Sequence, residues 1–130
     1  MIYFGPYIVH FEIPANDVEK VKKFYVDLFG WKIEKIPNME YNAVETVPMD
    51  KKGKLLRPGV NGGLYKRDNP QQQTLNYINV ESVEEYSKKV ADLVGQIVVK
   101  KTEIPGMGWF AIAVDPEGNV FGLFEMLPMP

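Results

Sequence analysis

A histidine and a glutamate stand two residues apart near the start of the chain. His10 is the only histidine of the sequence, and Glu12 follows it in the segment YIVHFEI. Because side chains alternate across a β-strand, residues two apart lie on the same face. The pair can therefore act as acid and base, hydrogen-bond a ligand oxygen, or supply two ligands to a divalent ion. The plainer alternative is a strand histidine that is hydrogen-bonded to Glu12 or to a tyrosine and serves packing.

The composition narrows the class of partner. The 130 residues carry a formal net charge of -2 at pH 7, so no basic field is present to hold a phosphate backbone. There is no cysteine, which excludes disulfides, thiolate metal sites and cysteine nucleophiles. No apolar run approaches the roughly 20 residues that would span a bilayer, and the first residues lack the basic region of a signal peptide. We expect a cytoplasmic protein without nucleic-acid or membrane partners.

The elements that position the pair are predicted from the local pattern. The segment 7–13 is rich in β-branched and aromatic residues and predicts a strand. A helix is expected from about Asp17 to Phe29, because Asn16 and Glu19 form a capping-box pattern and Gly30 follows the last apolar position. Further strands are predicted at 31–36, 41–47 and 62–66.

The same order begins again after a polar connector, RDNPQQQ, at residues 67–73. A strand at 74–80, a helix capped by Ser82 and Glu85 and closed by Gly95, and a strand at 96–100 are predicted. A shift of 65 residues aligns segment 10–33 with segment 75–98 at seven identical positions and without a gap. A shift of 59 residues aligns the end of one half with the end of the other.

The repeat predicts a single α+β domain over residues 1–130, built from two tandem βαβββ modules. Module one covers about residues 1–67 and module two about residues 74–130. One helix covers only one face of a four-stranded sheet. Two such modules would therefore form a curved eight-stranded mixed sheet with helices outside and a concave cleft, where a ligand is expected.

The order of elements, HFEIPANDVEKVKKFYVDLFGW near the start and DPEGNVFGLFE near the end resemble the vicinal oxygen chelate superfamily. That superfamily groups glyoxalase I, extradiol dioxygenases, fosfomycin-resistance proteins and bleomycin-binding proteins, and the resemblance covers the whole chain. Its metal-dependent members hold the ion by His or Glu on the first and last strand of each module. The corresponding positions here are His10, Leu75, Gly63 and Gly122. Only one is a ligand type, so the resemblance implies no metal and no other cofactor.

The strand glycines define the candidate ligand surface. Period-two counting places Tyr65 on the face of Gly63, and Tyr77 and Phe124 on the face of Leu75 and Gly122. Two missing side chains would leave space for a ligand, with aromatic rings as its walls. Alternatively, the glycines mark bulges or close backbone approaches, and the rings are core residues.

The loop IPGMGW at residues 104–109 combines a proline, two glycines, a methionine and a tryptophan. This composition favours a flexible lid that would bring Met107 and Trp109 over an apolar ligand. The alternative is a tight turn from which Trp109 enters the core.

The leading hypothesis is a small-molecule-binding protein of the glyoxalase and bleomycin-resistance type, without an intact metal site, that holds a partly apolar or aromatic ligand in the cleft. The rival is a lyase, isomerase or dioxygenase-like enzyme. It would use His10 and Glu12 with a weakly held divalent ion or as a metal-free acid/base pair. A structural domain would need a cleft filled by side chains. Exposed edge strands favour a homodimer.

Overall fold

The computed structural model describes residue 3 and residues 5–128. The eight strands are hydrogen-bonded in the order β2-β3-β4-β1-β5-β8-β7-β6, with parallel and antiparallel neighbours, so the predicted α+β class and mixed sheet are confirmed. In that part of the chain, neither helix has the length and hydropathy needed to cross a membrane. The elements are β1 (Ile8–Ala15), α1 (Val18–Phe29), β2 (Lys32–Lys35), β3 (Tyr41–Glu45), β4 (Gly62–Lys66), β5 (Leu75–Asn79), α2 (Val83–Asp92), β6 (Gln96–Ile104), β7 (Gly108–Val114) and β8 (Val120–Met126).

The chain divides into two compact units. One comprises residues 10–74, and the other comprises the described residues before His10 together with those from Leu75 onward. The break next to residue 74 lies beside the predicted connector. The N-terminal boundary differs from the prediction of a first module that begins at residue 1. The residues before His10 belong with the second unit, where the backbone N–H of Asn79 donates to the carbonyl of Tyr7 at 2.9 Å.

In the unit of residues 10–74, β1 and β4 run parallel, and β2, β3 and β4 run antiparallel. Helix α1 packs on one face of these strands through Val18, Val21, Tyr25 and Val26. The buried core of this face is formed by Ala15, Ile33, Val44 and Leu64.

The start of α1 differs by one residue from the predicted cap. Asp17 is the N-cap, and its carboxylate accepts from the backbone N–H of Lys20 at 3.0 Å. Asn16 instead accepts from the guanidinium of Arg67 at 3.3 Å. Gly30 ends the helix in the left-handed conformation, with φ of 71°, as predicted.

The second unit repeats the arrangement of the first. Strands β5 and β8 run parallel, β6, β7 and β8 run antiparallel, and α2 packs beside them. The core here consists of Val80, Val83, Ala111 and Leu123. Two units with the same order of parallel and antiparallel pairs confirm the tandem βαβββ repeat.

The N-terminal end of α2 is as predicted, whereas its C-terminal end differs from the prediction. Ser82 accepts from the backbone N–H of Glu85 at 3.1 Å, as predicted. Beyond the helix, Val94 rather than Gly95 adopts the left-handed conformation, with φ of 70°. Gly95 is required for another reason, because a Cβ there would lie 2.7 Å from the carbonyl oxygen of Val114.

The segment at 104–109 contains the hairpin turn between β6 and β7. Strand β6 runs to Ile104, β7 begins at Gly108, and the N–H of Met107 donates to the carbonyl of Ile104 at 2.9 Å. Trp109 packs against the buried cluster beneath α2. The glycine at 108 is needed because a side chain there would overlap with the backbone of Glu125. The structure thus shows the tight turn that the sequence offered as the alternative, and the contact of Met107 and Trp109 with a ligand stays a prediction.

Candidate functional site

A hydrogen-bonded chain of three side chains lies on the strands of residues 10–74. Nε2 of His10 lies 2.7 Å from the hydroxyl oxygen of Tyr41. That hydroxyl donates to Oε2 of Glu12 at 2.8 Å. All three side chains are partly buried. The two chemical groups singled out in the sequence are thus joined through a tyrosine, which is one of the packing partners that the sequence allowed for.

Strand register explains how these side chains meet. His10 and Glu12 alternate along β1 with Phe11 and Ile13, which pack toward α1. Glu12 lies opposite Gly63 of β4. The site therefore occupies the face of the strands that α1 does not cover.

Tyr41 reaches β1 by passing over a glycine. It begins β3 and lies opposite Tyr65 of β4, two residues from Gly63. A Cβ on Gly63 would overlap with the hydroxyl of Tyr41. The space that the sequence offered to a ligand at Gly63 is therefore filled by the Tyr41 side chain. The prediction that Gly63 contacts a ligand stays a prediction.

The hydrogen bonds fix the tautomer of His10. The single hydroxyl proton of Tyr41 is given to the carboxylate of Glu12, so the tyrosine oxygen accepts from His10. Nε2 of His10 therefore carries the proton in this bond. Burial lowers the pKa of His10 from 6.5 to about 4, because the charged imidazolium loses its hydration. The ring is neutral at pH 7.

Three rings of this face are nearly parallel. The ring centroids of His10 and Tyr41 lie 6.4 Å apart, with an angle of 15° between the ring planes. The centroids of Tyr41 and Tyr65 also lie 6.4 Å apart, with an angle of 13° between the planes. The pKa of Tyr65 is raised, first by burial and then by the carboxylates of Glu12 and Asp68. Its phenol is therefore neutral at physiological pH and can donate a hydrogen bond.

The donor set on this face does not fit the metal of the metal-dependent family members. Among residue 3 and residues 5–128, no group of three or more His, Cys, Asp or Glu side chains is placed to hold a metal ion. The hydroxyl of Tyr41 lies between the two candidate ligands that the sequence singled out, His10 and Glu12. A divalent ion held by imidazole and carboxylate would need that position and at least one more ligand.

The predicted residues of module two form a separate group in their own unit. Tyr77 is only 8% exposed, and a Cβ on Gly122 would overlap with its ring. Tyr77 also meets the ring of Phe110 edge to face at 6.5 Å. The second glycine, like the first, thus accommodates a tyrosine ring. Leu75 and Phe124 are partly buried on β5 and β8.

The other residues predicted around module two lie elsewhere. Trp109 lies on the face of β7 that packs beneath α2, and the ammonium of Lys101 lies 5.1 Å from its ring centroid. Met107 lies in the turn and is 56% exposed. Glu125 accepts from the backbone N–H of Val83 at 2.9 Å and so contacts the start of α2.

Sequence reasoning missed Tyr41 as a site residue. The available signal was its position, because it begins a strand whose neighbour carries Tyr65 on the candidate face. Knowing that Tyr41 lies opposite Tyr65 requires the register of two strands separated by a long loop, which no local pattern supplies.

A groove of about 390 Å³ lies in the same unit, on the side of the helix. It shares no residue with the hydrogen-bonded chain. Its lining charges are mixed, since three lysines and two glutamates line it, so it presents no field of one sign. The lining residues are Val18, Glu19, Lys22, Lys35, Glu40, Asn42 and Lys66.

Known proteins match this chain in sequence and in structure. A family model described as bleomycin resistance protein-like N-terminal matches residues 7–47. A glyoxylase-like domain-containing protein of Didymella fabae is 29% identical over 121 residues, which cover 86% of this chain and 88% of that protein.

Two solved structures share the fold. A hypothetical protein from Bacillus halodurans C-125 has a TM-score of 0.66 at 15% identity, with 96% of this chain and 97% of that chain covered. A glyoxalase/bleomycin resistance protein/dioxygenase superfamily member from Vibrio splendidus 12B01 has a TM-score of 0.62 at 16% identity. The match covers 93% of this chain and 99% of that chain. The fold shared with these two structures and the two sequence matches support the resemblance of this chain to the vicinal oxygen chelate superfamily.

Proposed function

We propose that this chain binds a small molecule with a planar aromatic or conjugated part, without a catalytic metal. The ligand lies against the rings of Tyr41 and Tyr65 and exchanges hydrogen bonds with the chain formed by His10, Tyr41 and Glu12. The observation that carries the proposal is this chain of two bonds, 2.7 and 2.8 Å long, on a sheet face that carries three nearly parallel rings.

Ring geometry supports a planar ligand. Aromatic side chains offer a large apolar surface with a polar tip, which allows stacking and hydrogen bonding by the same residue. Tyr65 is half-buried and keeps its proton, because burial and the nearby carboxylates raise its pKa. A conjugated ligand can stack on such a row, and its oxygen can accept from the phenol of Tyr65.

The low pKa of His10 favours a role in ligand binding over a role as a general base. A general base works best when its pKa is close to the working pH. Burial lowers the pKa of His10 to about 4, so the imidazole is a weak base near neutrality. Its neutral form is suited to holding a fixed hydrogen bond to Tyr41.

The binding proposal predicts a preference for planar probes. Naphthols and aromatic ketones should raise the melting temperature, and their saturated ring analogues should not. Tyr65→Ala should weaken binding about tenfold, since losing one stacked ring costs roughly 1 to 1.5 kcal/mol. Thermal shift followed by titration calorimetry measures both effects.

The matched control for Tyr65 is Tyr7→Ala, because Tyr7 is 49% exposed and belongs to the other unit. It should bind the probes as the wild type does. Equal affinity for planar and saturated probes, or equal loss in both variants, would count against the proposed site.

The donor set predicts weak metal binding. After dialysis against Ni, Zn, Mn or Fe(II), the tag-free protein should retain far less than one ion per chain. The physical reason is that Tyr41 lies between the two available ligands. Elemental mass spectrometry measures the content, with His10→Ala as the control. Stoichiometric metal that is lost in His10→Ala would contradict this assignment and direct the search to lyase and dioxygenase substrates.

The rival function is a metal-free lyase or isomerase. It is favoured by the continuous hydrogen-bonded route from His10 to the carboxylate of Glu12, which can relay a proton. Such an enzyme would exchange the α-proton of a bound ketone with deuterium in D₂O, and Glu12→Gln would abolish the exchange. Proton NMR of the aromatic ketones used above measures it. Binding without exchange would leave the ligand-binding proposal as the better one.

A further inference from the structure

Helix α1 carries three large apolar side chains that face outward. Phe24, Leu28 and Phe29 are 57%, 56% and 57% exposed, and no residue of this helix is fully buried. We call these three residues the α1 patch. Single exposed apolar residues are common on protein surfaces, but neighbouring ones at helical spacing mark an interaction surface.

The α1 patch is the outer layer of an aromatic cluster. The ring of Phe24 meets that of Tyr25 edge to face, with 5.2 Å between the ring centroids. The ring centroids of Phe29 and Trp31 lie 5.0 Å apart. Trp31 stacks on Tyr25 at 5.2 Å and also reaches Phe11 of β1 at 6.3 Å. The exposed rings are therefore held by inner ones, so a partner that covers them immobilises few new side-chain rotamers.

The fold itself does not require an aromatic residue at this position. In the 65-residue alignment, Phe24 corresponds to Lys89 in the second module. The ammonium of Lys89 lies over the ring of Tyr86 at 4.7 Å, on a helix that packs with the same topology. A βαβββ module of this chain thus folds with a charged residue at the equivalent site.

We propose that the α1 patch is the surface through which two copies of this chain form a two-fold dimer, with their α1 helices packed antiparallel. A two-fold axis near residue 26 sets Phe24 of each copy against Leu28 of the other. Isologous packing of this kind buries the same patch on both copies.

The charges beside the patch are self-complementary. Lys23 and Asp27 form an ion pair one turn apart, and their side chains are 77% and 60% exposed. In the antiparallel arrangement, Lys23 of one copy lies within a helical turn of Asp27 of the other, on the same side of the axis. A partner with a surface of one sign would leave one of these two charges facing its like, which favours a second copy as the occupant. This places the dimer contact on α1 and not at the edge strands favoured by the sequence.

The first test is the mass of the full chain in solution, measured by light scattering and sedimentation over a range of concentrations. The wild type should be a dimer, and Phe24→Lys should weaken dimerisation by about tenfold or more. Leu93→Lys is the matched control, because Leu93 is 73% exposed and corresponds to Leu28 in the second module. It should remain dimeric.

The second test exchanges the charges. Lys23→Asp and Asp27→Lys should each weaken self-association, because each sets like charges across the axis. An equimolar mixture of the two variants should recover the dimer, which a contact within one chain cannot explain. Circular dichroism confirms that each variant is folded.

Three results would overturn the proposal. They are a monomeric wild type, a dimer that Leu93→Lys breaks and Phe24→Lys does not, and a mixture of the two charge variants that fails to associate.

Discussion

His10→Gln should remove a large part of the acid sensitivity of this protein. Burial holds the pKa of His10 at about 4 in the folded state, against 6.5 when it is exposed to water. Between these two values the unfolded state binds more protons, so the free energy of unfolding rises with pH across that window. The contribution is complete above pH 6.5 and is lost as the pH falls toward 4.

From pH 7 to pH 4, the wild type should lose about 3 kcal/mol more stability than His10→Gln. Glutamine cannot titrate, and its amide can still donate to the Tyr41 hydroxyl. Urea denaturation at both pH values measures the difference. The two proteins differ only at residue 10, so the contributions of groups remote from that residue cancel in the comparison. Parallel loss of stability in both would show that the imidazole is hydrated in the folded state.

The neutral state of His10 also affects ligand binding. A histidine that stays neutral keeps one fixed set of hydrogen bonds throughout the physiological range. The Tyr41 hydroxyl then remains oriented toward Glu12, as it is in the structure. Ligand affinity should accordingly change little between pH 6 and 8, whereas a site that relied on imidazolium would lose affinity over that range.

Local sequence patterns were sufficient to predict most helices and strands, because the residues that determine these elements are close together in the sequence. Strand β1, the Ser82 cap and the left-handed Gly30 each depend on residues within one turn or one strand. Asn16 and Asp17 are both good N-cap residues, and the choice between them is local only in part. The side chain of Asn16 accepts from Arg67, which lies 51 residues away, and no helix-start pattern contains that contact.

Contacts between distant segments limited the prediction of the site. The sequence placed His10 and Glu12 on one face of a strand, and the structure puts both in one hydrogen-bonded chain. It did not supply Tyr41, whose role depends on the register between β3 and β4. For the same reason, the glycines in IPGMGW suggested mobility, whereas Gly108 accommodates the backbone of β8.

Gly63→Ala should act through Tyr41, and the coupling between the two residues can be measured. The new methyl group would overlap with the Tyr41 hydroxyl, so the ring must swing away. That movement breaks the bonds to His10 and Glu12, one of which involves a charged group. The expected loss of stability is roughly 2 to 3 kcal/mol.

In a Tyr41→Ala background, the same glycine substitution should cost little, because the overlapping side chain is gone. A double-mutant cycle by urea denaturation gives the coupling energy, which should equal most of the single-mutant loss. The planar probes supply a second readout, since Gly63→Ala and Tyr41→Ala should weaken their binding by the same factor. Additive stability effects would mean that Gly63 is required by the backbone of β4, and that Tyr41 reaches His10 and Glu12 without help from the missing side chain.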